Sequence, residues 1–216
     1  VTGVQTCALP ILGYQSLYNN PTASNNDAFG RQSLFTNTTG DLNAAFGQNA
    51  LYSNTTGTSN AAFGINSGYS NTTGSYNVFF GKDALRSNTT ANYNTAVGYQ
   101  SLYSNQTGHD NTALGLYAGY TNTTGSYNVF LGVSAGNGVA GQAHDYNIGI
   151  GYRAFYNIST GGNNVGIGGY ALYSNTTASN NTAVGYQALY SNQTGINNVA
   201  VVAQAAYYVT RSEEHT

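Results

Sequence analysis

Few side chains in this sequence could do chemistry. Two histidines stand beside aspartates, His109–Asp110 and His144–Asp145, and Asp27, Asp41 and Asp83 are scattered elsewhere. Histidine is the side chain most often used for proton transfer and metal ligation near neutral pH, so these two positions are the first to weigh. The aspartates lack the D-x-D pattern of calcium-binding β-rolls, and no serine has a base placed beside it. Glycine-rich stretches carry neither a phosphate-loop lysine nor the context of a dinucleotide-binding turn. His144 falls in the one irregular stretch, Gly136 to Tyr146. A bulged loop without a ligand describes that stretch better than a binding loop or a metal site. The expected inventory is therefore no catalytic residue, no cofactor and no metal. N-x-[ST] recurs at Asn37, Asn54, Asn71, Asn88, Asn105, Asn122, Asn175 and Asn192. These could accept glycans in a secreted protein, although turn chemistry already accounts for them.

The two ends differ from everything between them. Val1 to Ile11 (VTGVQTCALPI) and Arg211 to Thr216 (RSEEHT) resemble in-frame translations of a short-read sequencing adapter. They are set aside from fold reasoning, and with them goes Cys7 and any thiol chemistry. Residues 12–210 are then expected to be a stretch from the interior of a longer array. Their charged groups are Arg31, Lys82, Arg86 and Arg153 against five aspartates, 4 − 5 = −1. Nucleic acid and anionic membranes are recognised by clustered Lys and Arg, so neither is an expected partner. No apolar run approaches the ~18 residues of a membrane-spanning helix.

What positions every residue is a repeat. Gly13, Gly30, Gly47, Gly64, Gly81, Gly98, Gly115 and Gly132 follow one another at 17 residues, as do Gly151, Gly168 and Gly185, and the one step of 19 separates Gly132 from Gly151. A fixed period of this size marks a solenoid. Four residues before each glycine stands asparagine, as in Asn43, Asn60 and Asn181, and one residue before stands a large apolar side chain, as in Phe46, Val97 and Ile167. Two before is usually Ala or Gly. Four after is mostly Leu, as in Leu51 and Leu189, and five after is mostly aromatic, as in Tyr52 and Tyr190.

The N-T-A-V-G segment has the β-branched, alternating content of a short strand. N-T-T-G is a turn, and Y-Q-A-L-Y-S fits either a second strand or one helical turn. The predicted fold is a parallel β-solenoid or β-roll of 17-residue rungs spanning 12–210, irregular at 132–150. Stacked ~4.8 Å apart, the rungs would make an elongated molecule in which the asparagines form an amide ladder and the aromatics a stack. If the large residue before the glycine faces inward, the small residues face out and suit another layer. Alternatively, the small residues fit a tight interior. A single rung cannot stand alone and needs neighbours or further chains.

The N-[TV]-A-[VFIL]-G core resembles the head repeats of YadA-like trimeric autotransporter adhesins. The fuller N-T-A-V-G-Y-Q-A-L-Y-S-N-T-T-G unit is similar to repeat arrays of bacterial and phage tail-fibre-type proteins. The resemblance covers nearly all of 12–210, although the adhesin repeat is shorter and lacks N-T-T-G with its preceding aromatic. It implies a left-handed β-roll, a homotrimer, display on a cell surface or virion fibre, and attachment instead of catalysis. Exposed tyrosines and amides would suit host-surface glycans. Two other classes compete: an ice-binding solenoid, which wants ranks of Thr on one face, and a polysaccharide-cleaving β-helix, which wants clustered acids.

Overall fold

The segment before each glycine forms a three-residue strand, because a rung this short gives its backbone donors no partner except the rungs above and below. The computed structural model describes residues 11–208, which fall into two units, one up to Thr107 and one from Gly108. In the first, β1 (Ile11–Leu12), β2 (Asp27–Phe29), β3 (Ala44–Phe46), β4 (Ala61–Phe63), β5 (Val78–Phe80) and β6 (Thr95–Val97) pair in that order. In the second, β7 (Thr112–Leu114), β8 (Val129–Leu131), β9 (Ile148–Ile150), β10 (Val165–Ile167), β11 (Thr182–Val184) and β12 (Val199–Val201) do the same. All these pairings are parallel and advance one rung at a time, Phe46 opposite Phe63 and Ile167 opposite Val184. The two extra residues of the irregular rung are absorbed between β8 and β9, where Val129 still meets Ile148. The fold is the β-solenoid of 17-residue rungs expected from the spacing. The adapter-like ends, Ile11 apart, lie outside the described residues.

The stretch after each glycine is neither a second strand nor a helical turn, and no helix occurs among the described residues. Its backbone alternates hand. Gln32 and Leu34 sit at φ 57° and 48°, and Gln187 and Leu189 at φ 57° and 50°. That alternation aims successive N–H groups along the stack in opposite senses. Gln32 N donates to Tyr14 O of the rung before at 2.8 Å, whereas Leu34 N donates to Ala50 O of the rung after at 3.0 Å. An i→i−4 bond is thereby excluded. Left-handed backbone costs a residue with a Cβ roughly 1–2 kcal/mol, and the bonds to both neighbouring rungs hold it there.

The repeated glycine has a separate reason. Gly64 has φ +138°, and a Cβ on it would lie 2.6 Å from the Gly81 backbone. Stacked chains approach too closely here for any side chain.

The interior is built from small and large residues that complement one another. Ala45, Ala62, Ala96, Ala113 and Ala183, at the centre of their strands, are fully buried, and Leu34, Leu51, Leu85, Leu172 and Leu189 fill the space across from them. Of the two orientations open to the sequence, the structure adopts the one with small residues inside. The reading in which the large residue points inward is overturned, since Phe80 and Leu114 are about half exposed. A narrow coil cannot hold both the leucine and a large strand residue, so the strand yields. Where the strand carries Phe79 inside, the leucine position is Gly68, whose Cβ would meet that ring at 3.2 Å. Where Phe155 replaces leucine, the neighbouring strands carry Gly149 and Gly166, with Cβ positions 3.0 and 2.7 Å from its ring. Volume is conserved by exchange between columns, as close packing demands.

This assignment of faces predicts that Leu85→Ala, by emptying a fully buried site, lowers stability by about 2–5 kcal/mol. Leu114→Ala, on the outer face, should cost less than about 1 kcal/mol. Urea unfolding followed by circular dichroism measures both, and the opposite ranking would overturn the assignment.

Candidate functional site

Most rungs carry two buried asparagines, and their amides are fully engaged over most of the stack. The first stands before the strand. Asn60 N and Nδ2 both donate to Asn43 Oδ1, at 3.0 and 3.1 Å, and Asn60 Nδ2 also donates to Gly74 O at 2.8 Å. Asn164 and Asn181 repeat the pattern in the second unit. The second asparagine opens the N-T-T-G turn. Asn71 Nδ2 donates to Asn54 Oδ1 at 2.8 Å and to Gly74 O at 2.9 Å. Gly74 O therefore receives both amides, and each coil is closed through its own interior. The eight sequon asparagines named above are this second column, and all eight are wholly buried, while two further sequons, at Asn157 and Asn180, lie outside it. Glycan transfer to those eight in the folded rung is excluded by that burial, because the amide that would be modified lies inside the coil, whereas Asn180, in Asn180-Asn181-Thr182, is exposed.

The histidines are not brought together with one another or with a nucleophile. His109 lies at the surface with Nδ1 2.8 Å from Asp110 Oδ2 and its ring edge-on to Tyr127. Most of the aspartates have structural partners: Asp41 Oδ1 accepts from Ser24 N, Asp145 Oδ1 accepts from Ser126 N, and Asp83 pairs with Arg86 at 3.5 Å. Among the described residues no group of three or more His, Cys, Asp or Glu could hold a metal ion.

His144 is buried, which the sequence did not announce. It stands three residues before Asn147, a place occupied elsewhere by Gly or Ala, as in Gly57, Gly74, Ala91 and Ala178. Counting back from the asparagine, instead of forward from the glycine, would have found it. In this rung the turn-asparagine position falls on exposed Val139, and the His144 imidazole lies inside, edge-on to Phe130 at 5.5 Å. Neither ring nitrogen has a partner among the described residues. Burial lowers its pKa to about 4, against a smaller opposing effect of the Asp145 charge. The next rung carries Ile158 in the asparagine column, and the Asn175 amide above it is left without a partner on either atom. The column is interrupted here for two rungs.

Tyrosines dominate the outside. Tyr18, Phe35, Tyr52 and Tyr69 stack at 5.1–5.4 Å in the first unit, as Tyr156, Tyr173, Tyr190 and Tyr207 do at 4.8–5.3 Å in the second. The expected aromatic stack is present. A further one, Phe29, Phe46 and Phe63 at 4.7 and 4.8 Å, runs along the outer face of the strands. Arginine is seated among these rings twice. Arg86 lies over Tyr69 and Tyr103, and Arg153 over Tyr152 and Tyr156. No protein-family model, curated protein or solved structure matches the chain.

His144 makes the irregular rung sensitive to acid. Its folded pKa lies below the ordinary histidine value of 6.5, so the unfolded chain takes up a proton that the folded one resists. Stability is full above pH ~6.5 and falls as pH drops toward about 4, by roughly 3 kcal/mol in all. His144→Leu should abolish that fall while holding neutral-pH stability within ~1 kcal/mol. Urea midpoints at pH 7 and pH 4.5 for both proteins provide the measurement, and an unchanged pH dependence in the variant would remove His144 as its source.

Proposed function

We propose that this solenoid is a structural and adhesive segment of a surface fibre or adhesin, outside the cell or on a virion, serving as spacer and display platform and not as an enzyme. The observation that carries the reading is the outer face of the strands. Its two columns hold Ala44, Phe46, Val78, Phe80 and Thr95 with their neighbours in the first unit, and Leu114, Val129, Ile148, Ile167 and Val201 with theirs in the second. Asp27 is the one charged residue at these positions among the described strands. A regular, nearly uncharged apolar face of this kind is what chains bury against one another. Association of three copies, as in the adhesin heads that the repeat resembles, would cover it, and the columns of one copy would meet equally spaced columns of the next. The remaining outer surface, rich in tyrosine and amides, is then the part displayed, with glycans of a host surface as its fitting partners.

Ice binding has weaker support. One exposed threonine column runs along the turns, through Thr39, Thr56, Thr73 and Thr90, but the neighbouring threonines spend their hydroxyls on the next rung, as Thr55 Oγ1 does on Thr72 O. A single rank offers water no two-dimensional lattice. Cleavage of a polysaccharide would need paired acids, and the aspartates are dispersed in capping roles.

Multi-angle light scattering should return three times the chain mass at micromolar protein. Phe80→Glu with Leu114→Glu, each on the outer face, should shift it to one chain mass with the circular dichroism spectrum intact. A single-chain mass for the unaltered protein at every concentration would refute the assembly.

A further inference from the structure

Tyrosine is the side chain of this molecule that a one-electron oxidant can both reach and oxidise. The sequence has 20 tyrosines, no methionine and no tryptophan, and its single cysteine, Cys7, lies outside the described residues. Sulfur ordinarily takes up oxidation first, and indole is the other ready electron donor. Neither is present in the described rungs. The phenols meanwhile stand in columns. In the second unit Tyr156, Tyr173, Tyr190 and Tyr207 follow at one residue per rung, with ring centres 5.3, 5.0 and 4.8 Å apart and planes within 4° of parallel. In the first unit Tyr52 lies 5.1 Å from Tyr69. A different position of the rung, just before the buried asparagine, pairs Tyr76 with Tyr93 at 5.2 Å and Tyr127 with Tyr146 at 4.8 Å.

Stacking alone does not call for the hydroxyl. Phe35 occupies the same column between Tyr18 and Tyr52, at 5.4 and 5.1 Å from them, and Phe29, Phe46 and Phe63 stack at 4.7 and 4.8 Å without any phenol. What a phenol adds is chemistry. It can lose an electron together with its hydroxyl proton, and the radical left behind spreads onto the ring carbons ortho to the oxygen. Two such radicals in successive rungs are already neighbours. The column tyrosines are half-buried or exposed, so an oxidant reaches them. Side chains at the surface reorient within nanoseconds, which lets adjacent rings tilt edge to edge.

We propose that the tyrosine columns are sites of oxidative cross-linking, in which phenols of successive rungs join as dityrosine and tie the stack covalently. The oxidant is a peroxide acting through a haem peroxidase. Each of the two phenols gives up one electron and one proton, and the radicals couple through a carbon–carbon bond between their ortho positions. The hydrogen on each coupled carbon then moves to its own oxygen, which restores both phenols. Peroxide takes up the two electrons and two protons and leaves as two waters. A link from Tyr173 to Tyr190 closes a loop of 17 residues and restrains the unfolded chain as a disulfide would. A chain with one cysteine cannot make that disulfide within itself. Rungs that depend on their neighbours are the ones such a tie would hold. Phe35, which cannot form the radical, breaks its column and leaves Tyr18 without a partner for coupling.

The test oxidises the full chain with a haem peroxidase and limiting hydrogen peroxide. A parallel sample is photo-oxidised with ruthenium trisbipyridyl and persulfate, both folded and in urea. Dityrosine fluorescence reports formation, and mass spectrometry of digested protein assigns the pairs, each two hydrogens lighter than its separate peptides. Tyr156–Tyr173, Tyr173–Tyr190, Tyr190–Tyr207 and Tyr52–Tyr69 should be the chief products of the folded chain, and several-fold scarcer from the chain in urea. Tyr190→Phe keeps the ring and the stack, so it should remove its two links, spare Tyr52–Tyr69 and leave the circular dichroism spectrum unchanged. The cross-linked protein should unfold at higher urea than the untreated one. Absence of dityrosine in the folded chain, the same pairs in equal yield from the chain in urea, or links found only between chains on a denaturing gel would overturn the proposal. These links lie within one chain, so the result is independent of whether three copies associate.

Discussion

A primary amide taken out of water must find partners for two N–H groups and a carbonyl, or the fold forfeits a penalty of roughly 1–3 kcal/mol for each group left over. This chain buries two such amides in most rungs and satisfies them almost entirely through the stack. The carbonyl of Asn43 receives both the main chain and the side chain of Asn60, and the side chain of Asn60 reaches across its own coil to Gly74. The same bonds therefore set the rung-to-rung register and close the rung. Apolar burial could do neither, because it has no direction. A slip of one residue would strand every amide in both columns, so register is specified at each rung instead of being inherited from a turn.

The remaining architecture adapts to that constraint. With asparagines and turn glycines lining one side of the coil, little interior is left, and alanine, leucine and an occasional phenylalanine must share it. Phe79 with Gly68, and Phe155 with Gly149 and Gly166, show that the shared volume is what is kept while the identity of each column varies. The alternating left-handed residues belong to the same logic. They spread N–H groups to the rungs on both sides, and they let a short segment turn without the radius that a helix would occupy. Interior economy also sends the large strand residues outward, which creates the apolar face on which association would depend.

Where the asparagine column fails, at exposed Val139 and at Ile158, the cost is visible in the orphaned nitrogens of His144 and in the Asn175 amide. The irregular rung is thus the place where the interior is least well satisfied and most sensitive to protonation. The tyrosine surface of the second unit lies on the rungs that follow.

The period, the parallel stack, the paired asparagines and the aromatic column were legible in the residues, because each is a regularity of spacing and a stack converts spacing directly into contact. Three things were decided by the tertiary structure alone. The inward face of the strand depended on whether leucine or the strand residue won a limited volume, a contest between segments that no local pattern records. The stretch after the glycine took alternating hand because its donors had rungs on both sides to satisfy. His144 became buried because a two-residue insertion moved Val139 out and left interior room. Regularities are properties of one segment repeated, and the sequence determined them. Occupancy of the interior is a property of how segments divide a common space, and it exists only once the chain has coiled.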